Sequence, residues 1–130
     1  MTKPEHFEIH EQYASYRPVG DHSVRAAIEL VTTVIAYCSK NGISRLLVNG
    51  GGLTGLGEIQ VLDRYFLGEK FASAAAPGMR VVLVVDAKYI DTNKFGVTVA
   101  VNRWLQAEVF SDERVALAWL LAPYERMQSQ

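Results

Sequence analysis

The glycines of the stretch VNGGGLTGLGE (48–58) have the spacing that most suggests chemistry. Gly50, Gly52 and Gly55 form the pattern G-x-G-x-x-G directly after the apolar run 46–48. In a dinucleotide-binding turn, this pattern joins a strand to a helix, and an acidic residue about 20 positions later holds the ribose. The matching candidate, Asp86, lies some thirty residues beyond Gly55, and no Gly-Lys-Ser/Thr follows as a P-loop requires. The pattern therefore favours a tight turn over a nucleotide site.

The same turn has a second interpretation as an anion site. If it leads directly from a strand into a helix, its free N–H groups and the helix dipole favour negative charge. Gly52, Gly55 and Gly57 are then the candidate anion-binding positions, and Thr54 lies among them. The Thr54 hydroxyl would act as a helix N-cap or, if modified, as a phosphoacceptor. The N-cap is the simpler expectation.

Histidines and carboxylates form two further groups. His6, Glu8 and His10 would share one face of a strand, but a structural metal site usually needs four ligands. We expect a solvated strand face there, with no metal and no cofactor. His22 adjoins Asp21 without a visibly paired nucleophile, so we expect it to be a surface residue at a helix start.

The cysteine and the larger aromatic residues are expected to pack in the core first of all. Cys38 lies on an apolar helical stripe, where a cysteine behaves as a small, unreactive hydrophobe. Aromatic residues that were instead exposed together would line a groove or a subunit interface. The candidates for that role are Tyr13, Tyr16, Tyr65, Phe66 and Trp104.

Length and composition place the chain among ordinary globular proteins. Its 130 residues fit a single domain, residues 1–130, with 49% hydrophobic residues and a net charge of -1. We expect no nucleic-acid partner, because there is no basic footprint. The polar N-terminal residues and the absence of a long apolar run predict a cytoplasmic protein without a membrane segment.

The apolar pattern predicts a mixed sheet with a parallel centre. The runs 46–48 and 81–85 lack polar alternation, which is typical of strands covered on both faces. A helix between them would complete a right-handed βαβ unit. Residues 7–19 predict a hairpin or two short strands, 107–110 a further strand, and 91–104 fits a strand or a helix. The order is β-β-α-β-α-β-(α)-β-α, an α/β sandwich.

Three helices have recognisable limits. The first begins at Asp21 or Ser23 and ends at Asn41-Gly42, the second spans about 58–76, and the last is capped by Ser111. The residues expected to face inward are Val24, Ala27, Ile28, Val31, Ile35 and Cys38 in the first helix, Ile59, Leu62, Tyr65 and Phe66 in the second, and Val115, Ala118, Trp119 and Ala122 in the last.

Several local strings, taken together, resemble the SpoIIAA-like branch of the STAS domains, the superfamily of bacterial anti-sigma-factor antagonists. The strings are FEIHEQYASYRPVGDHS, LLVNGGGLTG, LDRYFLGEKFA, KFGVTVAVNR and FSDERVALAWLL, and they span nearly the whole chain. The resemblance implies a small mixed sheet flanked by about four helices, with residues 92–103 as a helix. It also implies a stand-alone cytoplasmic protein that forms a homodimer or binds an apolar ligand.

The resemblance gives Thr54 a possible role. Antagonists of this superfamily carry a D-S-S-G-L-G string in which a partner kinase phosphorylates the second serine. Residues 53–57, LTGLG, align with S-S-G-L-G and place Thr54 at that position, although Gly52 replaces the preceding acidic residue. Two functions therefore stay open. The first is a non-enzymatic interaction or small apolar ligand-binding module, and the second is an anti-sigma-factor antagonist switched at Thr54 by a regulatory partner.

Overall fold

The computed structural model describes residues 2–90 and 105–123 as a mixed α/β fold. Its strands are β1 (Phe7–Ile9), β2 (Ala14–Tyr16), β3 (Val19–Asp21), β4 (Arg45–Asn49), β5 (Gly52–Thr54), β6 (Arg80–Val84) and β7 (Gln106–Phe110). Its α-helices are α1 (Val24–Lys40), α2 (Val61–Ala74) and α3 (Glu113–Leu121), with a short 3-10 helix at Ala87–Tyr89. The segment 92–103, expected to be a fourth helix, lies outside the described residues.

The main sheet has five strands in the order β1-β2-β4-β6-β7, and its centre is parallel as predicted. Only the β1–β2 hairpin is antiparallel within this sheet. Strands β3 and β5 form a separate two-stranded parallel sheet that the sequence pattern did not predict. Alternate residues of β4 enter different cores: Leu46 and Val48 pack with α1, whereas Leu47 packs with α3. This two-sided burial explains the continuous apolar runs.

Helix α1 follows the sequence prediction closely. Ser23 is its N-cap, since the Ser23 side chain accepts a hydrogen bond from the Ala26 N–H. Asn41 caps the other end, and Gly42 follows with φ of 73°, the left-handed conformation in which glycine is least costly. The predicted stripe is buried from Ala27 to Cys38, with Val24 half-buried at its start.

The predicted inner face of α2 is confirmed for Phe66, which packs against the core, and for the half-buried Ile59 just before the helix, but it is wrong for Leu62 and Tyr65. Leu62 is 71% exposed and Tyr65 43% exposed, whereas Gly68 and Phe71 are buried and Leu67 packs against them. Apolar residues occur at most positions between 59 and 67, so spacing alone does not select one face. The face is set by packing against α1, with which α2 makes most of its contacts.

The predicted start and inner face of α3 also need correction. Asp112, rather than Ser111, is the N-cap and accepts a hydrogen bond from the Arg114 N–H. Ala116 and Leu120 are buried against the sheet, and Trp119 is half-buried as predicted. The other residues expected to face inward, Val115, Ala118 and Ala122, are exposed. Because the helix is apolar at most positions, the close packing of Ala116 on β4 and β6 decides its rotation.

The buried Arg80 at the start of β6 holds the C-terminal end of α3. It is 4% exposed and donates hydrogen bonds to Gln106 Oε1 and to four carbonyl oxygens. These carbonyls belong to Trp119, Leu120, Ala122 and Pro123. The last carbonyls of a helix have no partner within the helix, so this guanidinium supplies what the helix end lacks.

Candidate ligand pocket

The glycine-rich stretch does not join a strand directly to a helix. After β4 the chain forms the short strand β5, and α2 begins only at Val61. Gly52 permits this arrangement, because a Cβ there would lie 2.9 Å from Val19 Cγ1 on the neighbouring β3. The predicted helix-start anion site at Gly52, Gly55 and Gly57 is therefore wrong, since the amides of these glycines are not at a helix N-terminus.

Thr54 is not a helix N-cap either. Its exposed hydroxyl donates to Asp21 Oδ1 at 3.2 Å, while its carbonyl accepts the His22 N–H at 2.8 Å. The start of α2 is instead closed by Gln60, whose N–H donates to Asp63 Oδ2 at 2.9 Å. Thr54 thus connects β5 to the end of β3, and its role as a phosphoacceptor stays a prediction.

Behind the glycine-rich stretch 48–58 lies an apolar pocket of about 100 Å³. It is bounded by α1, α2, the ends of β4 and β6, and residues 50–59, which we call the cover segment. All thirteen lining residues are apolar or glycine: Val24, Ala27, Ile28, Val31, Val48, Gly50, Leu53, Leu56, Ile59, Leu67, Phe71, Leu83 and Val85. Among the described residues, the pocket therefore presents apolar groups and no polar side chain to a ligand.

The apolar pocket lies where α/β folds generally bind ligands, at the carboxyl ends of the strands. Val48 and Gly50 lie at the carboxyl end of β4, and Val85 follows the carboxyl end of β6. In open α/β sheets, ligands bind in the crevice beyond the carboxyl ends of the strands. The cover segment adds Leu53, Leu56 and Ile59, which are all half-buried.

A polar cluster on the α3 side holds Gly51, the second residue of the cover segment. Arg17 makes two hydrogen bonds to the Glu113 carboxylate, of 2.7 and 2.9 Å, and Asn49 Nδ2 donates to the same carboxylate at 2.7 Å. These hydrogen bonds lower the pKa of Glu113 to about 2. Asn49 Oδ1 in turn accepts the Gly51 N–H at 2.8 Å. The carboxylate thereby orients the side chain that holds Gly51.

The other end of the cover segment is held by an ion pair between α1 and α2. Arg25 Nε donates to Asp63 Oδ1 at 2.8 Å, and this bond together with the Gln60 N–H lowers the pKa of Asp63. The Arg25 guanidinium also lies 4.4 Å from the centre of the Phe66 ring, with Lys70 Nζ at 5.7 Å. Both ends of the cover segment are thus anchored to the rest of the fold.

The four described aromatic residues proposed for a groove or interface do not form a single cluster. Tyr16 is buried with α1, Tyr13 packs in the α3 core and stacks on His10, and Phe66 lies beneath Arg25. Tyr65 is exposed on the outer face of α2, close in sequence to the exposed Val61 and Leu62. Trp104 lies outside the described residues. A groove or interface that includes Trp104 stays a prediction.

The remaining polar candidates have structural roles. His10 Nε2 lies 2.9 Å from the buried Ser15 Oγ and 3.8 Å from Glu8 Oε1. One nitrogen thus faces both groups, whereas a catalytic triad uses the two ring nitrogens separately. His6 has φ of 60° in the turn before β1, and the half-buried His22 contacts the Val19 carbonyl at 3.2 Å. Within the described ranges, no three His, Cys, Asp or Glu residues are placed to hold a metal ion.

Cys38 is fully buried, and burial raises the pKa of its thiol to about 12. This confirms the expectation of a buried hydrophobe, since the thiolate is the reactive form. In the part of the chain that the structure describes, no helix is long and apolar enough to cross a membrane.

A second depression, of about 430 Å³, lies between the N-terminal residues, β3 and α1. Its lining mixes apolar residues with Glu5, His6 and His22. We prefer the apolar pocket as the candidate site because its lining is chemically uniform and because it lies at the carboxyl ends of parallel strands. The sequence signal for this pocket was present but weak: three apolar residues spaced by three within a glycine-rich loop.

The chain was compared with protein-family models, with curated proteins and with solved structures, and it matches none of them significantly.

Proposed function

We propose that this chain is a non-enzymatic module that binds a small apolar molecule, or the apolar end of a larger one, in the apolar pocket. The observation that carries the proposal is the lining of thirteen apolar or glycine residues at the carboxyl ends of β4 and β6. Burial of apolar surface contributes roughly 25 cal/mol per Å², and a polar group buried without a partner is penalised. Such a pocket selects against polar ligands.

The size of the pocket narrows the class of ligand. Sites for drug-sized ligands are typically about 300–1,000 Å³, several times the volume of about 100 Å³ found here. An engineered apolar cavity of about 150 Å³ in another protein accepts benzene or xenon. We therefore expect ligands of benzene size or smaller.

Titration with benzene, followed by NMR of the side-chain methyl groups, tests this function. The proposal expects saturable shifts of Val31, Leu53 and Leu83 methyls. Ala27→Leu should abolish these shifts, because Ala27 is buried and lines the pocket. Ala26→Leu is the matched control, since Ala26 lies next to it on the exposed face of α1. Shifts that are absent in the unaltered protein, or equal in both variants, would refute the proposal.

We also propose that this chain belongs to the SpoIIAA-like branch of the STAS domains and that it forms a homodimer. The mixed sheet with a parallel centre is compatible with the SpoIIAA-like resemblance, which supports a cytoplasmic STAS-like homodimer. The exposed Val61 and Leu62 on α2 also support association of two chains. Sedimentation equilibrium across a range of concentrations tests the dimer, and a monomer mass at every concentration would contradict it.

A second candidate function is a phosphorylation switch at Thr54. It is favoured by the exposure of the Thr54 hydroxyl on a strand edge between glycines, where a kinase could reach it. The experiment is phosphate incorporation by a cognate kinase, followed by intact mass, in the unaltered protein and in Thr54→Ala. Incorporation that persists in Thr54→Ala would assign the phosphate to another residue and reject this function.

A further inference from the structure

The cover segment is firmly held at its two ends and weakly held between them. At one end, the Gly50 N–H donates to the Val84 carbonyl at 2.9 Å and the Gly51 N–H donates to Asn49 Oδ1. At the other end, Gln60 is bonded to Asp63, which pairs with Arg25. Within the described ranges, residues 55–59 make no backbone hydrogen bond. Segments with few hydrogen bonds are those that open locally at the lowest cost.

Among the described residues, β5 attaches the middle of the cover segment to the rest of the fold. Strand β5 pairs with β3 over three residues, from Val19–Gly52 to Asp21–Thr54. At the end of this short ladder, the Thr54 carbonyl accepts the His22 N–H at 2.8 Å and the Thr54 hydroxyl donates to Asp21 Oδ1 at 3.2 Å. Gly55 follows with φ of 81°, and a Cβ at this position would overlap the Asp21 carboxylate. The chain therefore passes over Asp21 at close range, in a conformation suited to glycine.

The same segment forms one wall of the apolar pocket. Leu53 belongs to β5, and Leu56 and Ile59 follow in the part that lacks backbone hydrogen bonds. Separation of β5 from β3 would carry all three side chains away from the pocket. The opposite walls, on α1 and the central strands, are buried in the core and have no comparable freedom.

We infer that the cover segment is the entrance of the pocket and that the contact between Thr54 and Asp21 controls how often it opens. This inference rests on the proposed function, and it adds the route by which a ligand enters. A ligand of benzene size passes the cover segment when β5 leaves β3, and the segment then closes over the ligand. The contact is the same in the free and the occupied closed protein, so it sets the rates of entry and exit and leaves the affinity almost unchanged.

Two substitutions at Thr54 separate the hydroxyl from the shape of the side chain. Thr54→Val keeps the branched shape and removes the donor, whereas Thr54→Ser keeps the donor and removes a methyl group. Losing one exposed hydrogen bond to a carboxylate should speed opening by about three- to tenfold. We expect Thr54→Val to accelerate benzene exchange, measured by NMR line shapes, by that factor at nearly constant affinity. Thr54→Ser should resemble the unaltered protein.

Amide hydrogen exchange in the protein without benzene tests the inference independently of ligand binding. Thr54→Val should accelerate amide hydrogen exchange at residues 51–57 by a similar factor. The exchange rates of the amides in β4 and β6 should not change. If benzene does not bind the unaltered protein, the proposed function fails, and hydrogen exchange still decides whether the segment opens as inferred. If Thr54→Val and Thr54→Ser exchange at the same rate in both measurements, the inference is overturned.

Discussion

The Thr54 hydroxyl and the Asp21 carboxylate meet at 3.2 Å, and this contact joins two segments that lie 33 residues apart in the chain. The contact lies at the end of the β3–β5 ladder, on the outer side of a segment whose apolar side chains line the pocket. An exposed hydrogen bond of this kind contributes about 0.5–1.5 kcal/mol. That is too little to hold the fold, but it is enough to set how often a local segment opens.

A negative charge at position 54 should open the cover segment. Thr54→Glu places a second carboxylate beside Asp21, and like charges at this separation near a surface repel by roughly 1–4 kcal/mol. We expect amide exchange at residues 51–57 to be about five- to tenfold faster than in Thr54→Gln, the neutral control of the same size. Adding Asp21→Asn to Thr54→Glu should remove the difference. Equal exchange in Thr54→Glu and Thr54→Gln would show that Asp21 is not the partner.

The carboxylate of Glu113 should stabilise the fold at neutral pH and lose this effect in acid. Its folded pKa, about 2, is below the usual 4.5 because of the Arg17 and Asn49 hydrogen bonds. The stabilisation is therefore present above pH 4.5 and is lost as the pH falls towards 2. The side chain is 36% exposed, so after allowance for solvent screening we expect Glu113→Gln to cost about 1 kcal/mol at neutral pH.

Urea denaturation at neutral pH and near the folded pKa measures this difference. The gap between the unaltered protein and Glu113→Gln should close as the medium is acidified. Glu58→Gln, at an exposed position of the cover segment, controls for the loss of one negative charge. A gap that is constant with pH would contradict the assignment of the low pKa to Glu113.

Arg80 should be far more important for stability than its neighbour Arg45. The two residues are directly paired in the β4–β6 ladder, but Arg80 is buried, and its shortest contact, to the Ala122 carbonyl, is 2.7 Å. Arg45 reaches the Leu121 and Ala122 carbonyls at 3.4 Å from a half-buried position. Arg80→Met removes this buried donor from the carbonyls at the end of α3, so we expect it to cost about 2–4 kcal/mol.

Arg45→Met is the matched control and should lower the free energy of unfolding by less than about 1 kcal/mol. Urea denaturation of both variants, monitored by far-ultraviolet circular dichroism, gives the two values. Similar losses of stability in Arg80→Met and Arg45→Met would show that the bonds to the end of α3 carry little free energy.

Cys38 should react with a thiol reagent only when the protein unfolds. Burial raises its pKa to about 12, so both access and thiolate formation are suppressed in the folded state. We expect negligible labelling by a disulfide reagent at neutral pH, and complete labelling of one thiol per chain in urea. Fast labelling of the native protein would indicate that the core around α1 opens locally.

Much of the architecture was predictable because it depends on local pattern. The α1 stripe has one clear apolar face with a Ser23 cap and a Gly42 ending, and the runs in β4 and β6 are continuous. The faces of α2 and α3 were not predictable, because apolar residues surround each helix and packing selects between them. Strand β5 was missed because it has only three residues and begins with a glycine, which is disfavoured in strands, and its pairing with β3 is a long-range contact.

The candidate site was less accessible to sequence reasoning than the fold. The glycine spacing suggested an anion site at a helix start in the cover segment, but α2 begins only at Val61. The relevant feature is the set of Leu53, Leu56 and Ile59 between those glycines. These residues become a pocket wall only once α1, α2 and two strand ends enclose the opposite side. That enclosure is a property of tertiary packing, which residue spacing does not encode.

A crystal of the protein pressurised with xenon shows directly whether the apolar pocket accepts an apolar guest. Xenon is apolar, small enough for a pocket of about 100 Å³, and its strong X-ray scattering locates it in the electron density. We expect a xenon atom in contact with Val31, Phe71 and Leu83 in the unaltered protein, and none there in Ala27→Leu. A pocket that stays empty of xenon in the unaltered protein, or that fills with ordered water, would contradict this expectation.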